Sequence, residues 1–216
     1  MSGSRIYINA VLKSGEVSFQ DCISFLENNS EIDYFQQTNK DLKITGSLFG
    51  SFHIYNTSLS ASLDDYENIT FNTPCYRYTQ SNNGPERLST LFEFVSDLYE
   101  AVGPLYVYGV NNWRIEGWEE GQTEYKTPPV ISDGGIENNR IEHPTWLMLF
   151  PPEMVAEYGR EWLLDLPAET IEELDDGAIM IVATGPLPEC ENEREIVELI
   201  DDAMTPIEEA FAQREL

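Results

Sequence analysis

The stretch Pro85-Glu86-Arg87-Leu88-Ser89-Thr90-Leu91-Phe92-Glu93-Phe94-Val95-Ser96-Asp97-Leu98-Tyr99-Glu100-Ala101-Val102-Gly103-Pro104-Leu105-Tyr106-Val107-Tyr108-Gly109-Val110 decides the fold class. Leu88, Leu91, Phe92, Val95, Tyr99 and Val102 recur at three- and four-residue steps, the spacing of one helical face. Pro85 suits a helix start, and Gly103-Pro104 ends the helix. Leu105 to Val110 then reads as a buried strand.

Working outward, Arg5 to Leu12 reads as a strand rich in β-branched and aromatic residues. Ser18-Phe19-Gln20-Asp21 starts a short amphipathic helix, with Cys22, Phe25 and Leu26 on one face, that ends near Asn28-Asn29. From Ile44 to Tyr55 the chain alternates: Ile44, Gly46, Leu48, Gly50, Phe52 and Ile54 fall on one face. That predicts one long half-buried strand, with the glycines permitting a bend. Asn68 to Thr79 offers another strand, interrupted by Pro74. Residues 111–144 lose the periodicity and read as a long irregular loop. Beyond it come a strand to Phe150, a short helix from Pro152 to Tyr158 closed by Gly159, and a buried strand from Ala178 to Thr184. Ile196, Leu199, Ile200, Ala203, Met204, Ile207 and Phe211 mark a last helix. Pro206 interrupts it, and Thr205-Pro206-Ile207-Glu208 resembles a second helix start, so a kink or two consecutive helices is expected. The expectation is a single α+β domain spanning 1–216, with a largely antiparallel sheet packed against two or three helices, notably those near 86–102 and 193–212. Trp146, Ile179, Ile181, Leu199 and Ile200 are expected to share its core.

The charge is extreme. There are 39 acidic and 12 basic residues among 216, a net of −27. Residues 1–108 hold 13 acids and 6 bases; residues 109–216 hold 26 and 6. Such a field repels phosphates and anionic lipids, which argues against nucleic-acid and membrane partners. It attracts basic proteins and speeds their encounter. Adaptation to high salt is the rival explanation, because carboxylates keep a surface hydrated and only four lysines (Lys13, Lys40, Lys43, Lys126) accompany them. No run reaches the roughly 18 apolar residues of a membrane helix. The N-terminus lacks the apolar stretch of a signal peptide, which predicts a cytoplasmic protein.

Chemistry-bearing motifs are sparse. Cys22, Cys75 and Cys190 lie far apart and are expected to be reduced thiols. With only His53 and His143 besides, no metal site is predicted. Glu142-His143 could form a general base oriented by a carboxylate, although a polar residue ending a loop explains His143 as well. Phosphate-binding glycine loops are absent, and no cofactor is predicted. Pairs such as Asp64-Asp65 and Asp175-Asp176 follow from composition alone. Tyr106, Tyr108, Trp113 and Trp118 gather in sequence, with Glu116, Glu119 and Glu120 among them. Aromatics inside an acidic rim suit an interface with a basic protein, so Trp113, Trp118, Glu116, Glu119 and Glu120 are the candidate partner-binding residues. The same tryptophans could instead anchor the loop in the core.

The C-terminal third resembles the immunity protein 52 family and related immunity proteins of bacterial toxin systems. Pro144-Thr145-Trp146-Leu147-Met148-Leu149-Phe150 carries the resemblance, with Ala168-Glu169 leading to Glu173-Leu174-Asp175-Asp176-Gly177 and Ala178 to Thr184. Asn192 and a helix reaching Met204-Thr205-Pro206-Ile207 complete it. The resemblance implies a non-enzymatic protein that neutralises a cognate toxin through a surface, with no catalytic residues; the acidity of the chain makes a basic toxin the expected partner. A small hydrolase using His143 and loop carboxylates, and an acidic nucleic-acid mimic, are the rival expectations.

Overall fold

Arg5-Ile6-Tyr7-Ile8-Asn9-Ala10-Val11-Leu12-Lys13 forms β1 (Arg5–Lys13), the middle strand of a nine-stranded sheet. The computed structural model describes residues 5–13, 19–28, 34–37, 42–46, 50–57, 66–74, 84–111, 130–184 and 193–214. The other strands are β2 (Tyr34–Gln37), β3 (Leu42–Gly46), β4 (Gly50–Thr57), β5 (Tyr66–Pro74), β6 (Tyr106–Asn111), β7 (Leu147–Phe150), β8 (Thr170–Glu173) and β9 (Ile179–Val182). Their order across the sheet is β2-β3-β4-β5-β1-β6-β7-β9-β8, and each of these pairings is antiparallel. The fold is α+β, as the element pattern predicts.

Successive side chains of a strand point to opposite sides. On one side of the sheet Ile8 stands opposite Phe71, and Ala10 opposite both Ile69 and Val107. The helix predicted around 86–102 is α2 (Gly84–Val102), and it covers this side. Phe94 meets Phe71 edge-on at 5.7 Å between ring centres, and Phe25 of α1 (Phe19–Asn28) meets Phe94 at 6.0 Å. Leu91, Val95 and Leu98 are fully buried. Each such side chain stabilises the fold by about 1.5–3 kcal/mol.

The opposite side changes character along the sheet. On β1 and β5 it carries Asn9, Asn68 and Thr70, all buried. The Asn9 Oδ1 accepts hydrogen bonds from Thr70 Oγ1 at 2.8 Å and Asn68 Nδ2 at 3.2 Å. On β6, β7 and β9 it is aromatic and aliphatic: Tyr106, Tyr108, Phe150, Ile179 and Ile181. Phe150 lies 5.6 Å from Tyr106 and 5.4 Å from Tyr158 of α4 (Pro152–Tyr158). Gly159, at φ +83°, turns the chain from α4 into α5 (Arg160–Leu164). The closing helix α6 (Glu193–Arg214) seats Phe211 4.9 Å from Trp162 and 5.7 Å from Tyr158.

The structure corrects five expectations. The strand expected over 44–55 is a hairpin, β3 and β4, with Ile44 opposite Phe52 and Gly46 opposite Gly50. Alternation persists through a hairpin in that register, so the pattern imitates one strand. The strand expected from Asn68 begins two residues earlier, at Tyr66, and is described to Pro74; residues 75–79 of that expectation lie outside the described residues. The loop expected over 111–144 contains the short α3 (Asp133–Glu137). Of the kink or two consecutive helices expected at Pro206, the structure excludes the second: the closing helix runs through Pro206 as one element, and Thr205 Oγ1 donates back to Asp201 O at 2.9 Å instead of capping a new helix. Trp146, Ile179, Ile181 and Ile200 are buried in one cluster, whereas Leu199 is 38% exposed. Leu199 falls between the stripe of Ile200, Met204, Ile207 and Phe211 and the solvent face.

Candidate functional site

Trp113, Trp118, Glu116, Glu119 and Glu120, the candidate partner-binding residues, lie outside the described residues, as do Cys75 and Cys190. Cys22 is buried against the core. His53 occupies a β4 register position opposite Lys43 and Asn72. His143 is exposed. Among the described residues, no group of three or more His, Cys, Asp or Glu could hold a metal ion, and no helix is long and apolar enough to cross a membrane.

Local hydrogen bonding shapes a shallow depression of about 500 Å³ around α3, lined by Ser132, Gly135, Asn138, Arg140, Glu142 and Glu157 among others. Ser132 caps α3: its Oγ accepts from Gly135 N at 3.0 Å and donates to the Glu142 carboxylate. Asn138 Nδ2 donates to Gly134 O at 2.7 Å, and Arg140 Nε to Glu157 Oε1 at 2.9 Å. Gly135 is required here, since a Cβ would stand 2.6 Å from Arg140 O. These polar groups spend their hydrogen bonds on one another. Ser132, Glu142 and His143 are neighbours in the chain fold, but Ser132 pairs with the carboxylate and not with the imidazole. The depression reads as a closed turn more than as a seat for a ligand.

The C-terminal surface is the more distinctive feature. Glu153, Glu161, Asp165, Glu169, Glu172, Glu173, Asp175, Asp176, Asp202, Glu208 and Glu209 are exposed. Three arginines there, Arg140, Arg160 and Arg214, are committed. Arg140 holds Glu157, and Arg160 bridges Glu161 and Glu173. Arg214 lies 4.6 Å over the Trp162 ring and 5.6 Å from that of Tyr158. A hydrogen bond from Arg160 lowers the Glu173 carboxyl below its ordinary pKa, so Glu173 stays ionised further into acid.

Part of this acidity sits on β8, at the edge of the sheet, where Glu172 and Glu173 are exposed. The tight connection from β8 to β9 holds the edge in place. Leu174 N donates to Ala178 O at 2.8 Å, and Gly177, at φ +90°, makes the turn. Asp176 Oδ1 accepts from Ala178 N at 2.9 Å, and its Oδ2 accepts from Tyr99 OH at 2.7 Å, tying the turn to α2. Burial foremost, with that hydrogen bond, pushes the Tyr99 hydroxyl pKa up. The sequence reading passes over β8, because four residues with two glutamates carry little strand signal.

No protein family model and no solved structure matches this chain. A protein of Arabidopsis thaliana described as GDSL esterase/lipase 1 is 32% identical over 75 residues, which are 34% of this chain and 20% of that protein. The chain thus aligns with about a fifth of that relative's length.

Proposed function

We propose that this protein is an immunity-type binding protein that neutralises a cognate, basic protein toxin by direct contact. One observation carries the reading beyond the resemblance of residues 144–207. The described C-terminal surface displays exposed carboxylates in excess, and Arg140, Arg160 and Arg214 are occupied by their own neighbours. A surface of that kind steers a cationic protein toward it and repels nucleic acid. Trp113 and Trp118 supply the aromatic anchors in this reading, and Glu116, Glu119 and Glu120 part of the rim.

The test is co-expression with the product of the neighbouring gene, the toxin this reading expects there, followed by binding kinetics across a salt series. Protection of growth is expected. The association rate should fall as salt rises, and Gln at 116, 119 and 120 should lower both that rate and its salt dependence. Trp113→Ala or Trp118→Ala should raise the dissociation rate. An association rate flat across the series for both proteins assigns the charge to salt adaptation instead.

A second reading, a small hydrolase, draws on the partial similarity to a GDSL esterase/lipase. Ser132, Glu142 and His143 are the residues it would use, with His143 needing to turn toward Ser132 to act as base. Hydrolysis of a short-chain nitrophenyl ester that Ser132→Ala and His143→Ala both abolish would establish it. Full toxin protection by His143→Ala would favour the binding reading.

A further inference from the structure

We propose that the outer edge of β8 is a strand-addition site for an extended, cationic segment of a protein partner. The deduction starts from backbone geometry. In an antiparallel ladder, alternate residues direct both their N–H and C=O to the same neighbour. Leu174 N–H is spent on Ala178 O in the turn to β9. Counting back by twos, Glu172 and Thr170 also face β9, opposite Met180 and Val182. Ile171 and Glu173 therefore direct their N–H and C=O groups away from the sheet. Nothing among the described residues pairs with those four groups, since β8 is the last strand and its only partner is β9.

Natural proteins blunt such edges with proline, lysine, bulges or a covering element. Thr170-Ile171-Glu172-Glu173 has neither proline nor lysine, and its pairing with β9 is unbroken over all four residues. Its protection is its charge. Glu172 and Glu173 are exposed, and Glu169, Asp165 and Asp175 flank them with no cation partner among the described residues. That charge turns away a second copy of this acidic chain and admits a basic strand. The side chains alternate as well: Thr170 and Glu172 stand on one side of the sheet, Ile171 and Glu173 on the other. An added strand would meet the Glu172 carboxylate on one side and, on the other, the half-buried Ile171 beside a Glu173 already paired with Arg160. Main-chain hydrogen bonds supply affinity in this mode, and alternate side chains supply selection. With only four residues, the edge seats a short segment. The proposal rests on the binding-protein reading only for which partner supplies that segment.

The experiment uses the full chain and a short peptide of alternating lysine and valine, with fluorescence anisotropy for affinity and residue-resolved amide hydrogen exchange for place. Two control peptides are used. One is N-methylated at the backbone nitrogens that would face β8, with its charge unchanged; the other carries glutamate for lysine. The parent peptide is expected to bind and to slow exchange at the Ile171 and Glu173 amides. N-methylation should weaken it by about tenfold or more, the scale of buried hydrogen bonds left unmade. The glutamate peptide should not bind. Ile171→Pro deletes an outward donor while sparing the β9 ladder, and should weaken the parent peptide by a similar factor. Should that variant fail to fold, the N-methylated peptide still decides, because it leaves the protein untouched. Equal binding of the parent and N-methylated peptides, unprotected Ile171 and Glu173 amides, or no binding at all would overturn the proposal. So would a dimer of the protein alone that Glu172→Lys disperses, since it would give the edge to a second copy. A toxin that is neutralised while the β8 amides stay unprotected would overturn the edge alone and leave the immunity reading standing.

Discussion

The same side of one sheet is polar on β1 and β5 and aromatic on β6 and β7. On the first pair, Asn9, Asn68 and Thr70 bond to one another. On the second, Tyr106, Tyr108 and Phe150 pack with Tyr158, and Tyr158 with Trp162 and Phe211. The boundary falls between β1 and β6, where Asn9 stands opposite Tyr108 and Val11 opposite Tyr106. The difference teaches how each half is held. The aromatic half depends on area removed from water, so it requires α4, α5 and α6 as cover. The polar half depends on satisfied hydrogen bonds, whose net worth is smaller but whose loss is sharp.

Four measurements would break or sharpen that contrast. The largest effect belongs to Phe150→Ala, which opens a cavity among Tyr106, Tyr158 and the sheet and should cost about 3–5 kcal/mol by urea unfolding. Next comes Asn9→Ala, which strips Asn68 Nδ2 and Thr70 Oγ1 of a shared acceptor and should cost about 1–3 kcal/mol. Replacing Asn9, Asn68 and Thr70 together with valine should cost less than that single change. A triple variant worse than Asn9→Ala would show that the cluster is not held by its mutual hydrogen bonds.

The third concerns alkali. Burial raises the pKa of Tyr106 and Tyr108 above the ordinary tyrosine value of 10.0, and Tyr99 shifts the same way. A raised folded pKa means stability that is fully present below pH 10 and lost as pH climbs above it, because the unfolded chain releases its protons first. The urea midpoint should therefore fall above pH 10, and Tyr108→Phe should flatten that fall. Asn9→Ala should leave the slope unchanged. The smallest effect belongs to Arg160→Ala. Its partner Glu173 has a lowered pKa, so the pair's contribution is present at neutral pH and lost as pH falls through the folded value. Both groups are solvent-exposed, so the melting temperature should change little at pH 7, and the difference should vanish in acid and in high salt.

Much of this architecture is legible in the sequence, for physical reasons. The stripe from Leu88 to Val102 buries in α2 because its spacing matches the helix period. The run from Leu147 to Phe150 and that from Ile179 to Val182 are wholly buried strands in the interior of the sheet, where no polar alternation is demanded. Edges and turns are less legible. The four-residue β2 and β8 are defined by their neighbours rather than by their own composition. The α3 turn is set by a serine cap and a glycine contact, neither of which has a period. The candidate surface was visible as charge, because composition alone reveals −27. That part of the charge lies along an open strand edge was not, since strand order arises from pairing between distant segments.

The earliest of the described strands, β1, occupies the fifth place in the sheet, between β5 and β6. During synthesis Ile6, Ile8 and Leu12 must wait for Phe71 and then Val107 before their apolar side is flanked by partner strands. Chains emerge at about 5–20 residues per second, so that wait lasts several seconds. Over that interval the nascent chain presents an unpaired, β-branched segment to whatever meets it. A molecular chaperone that engages extended apolar segments would find its target in β1, and would have to release it when β6 arrives.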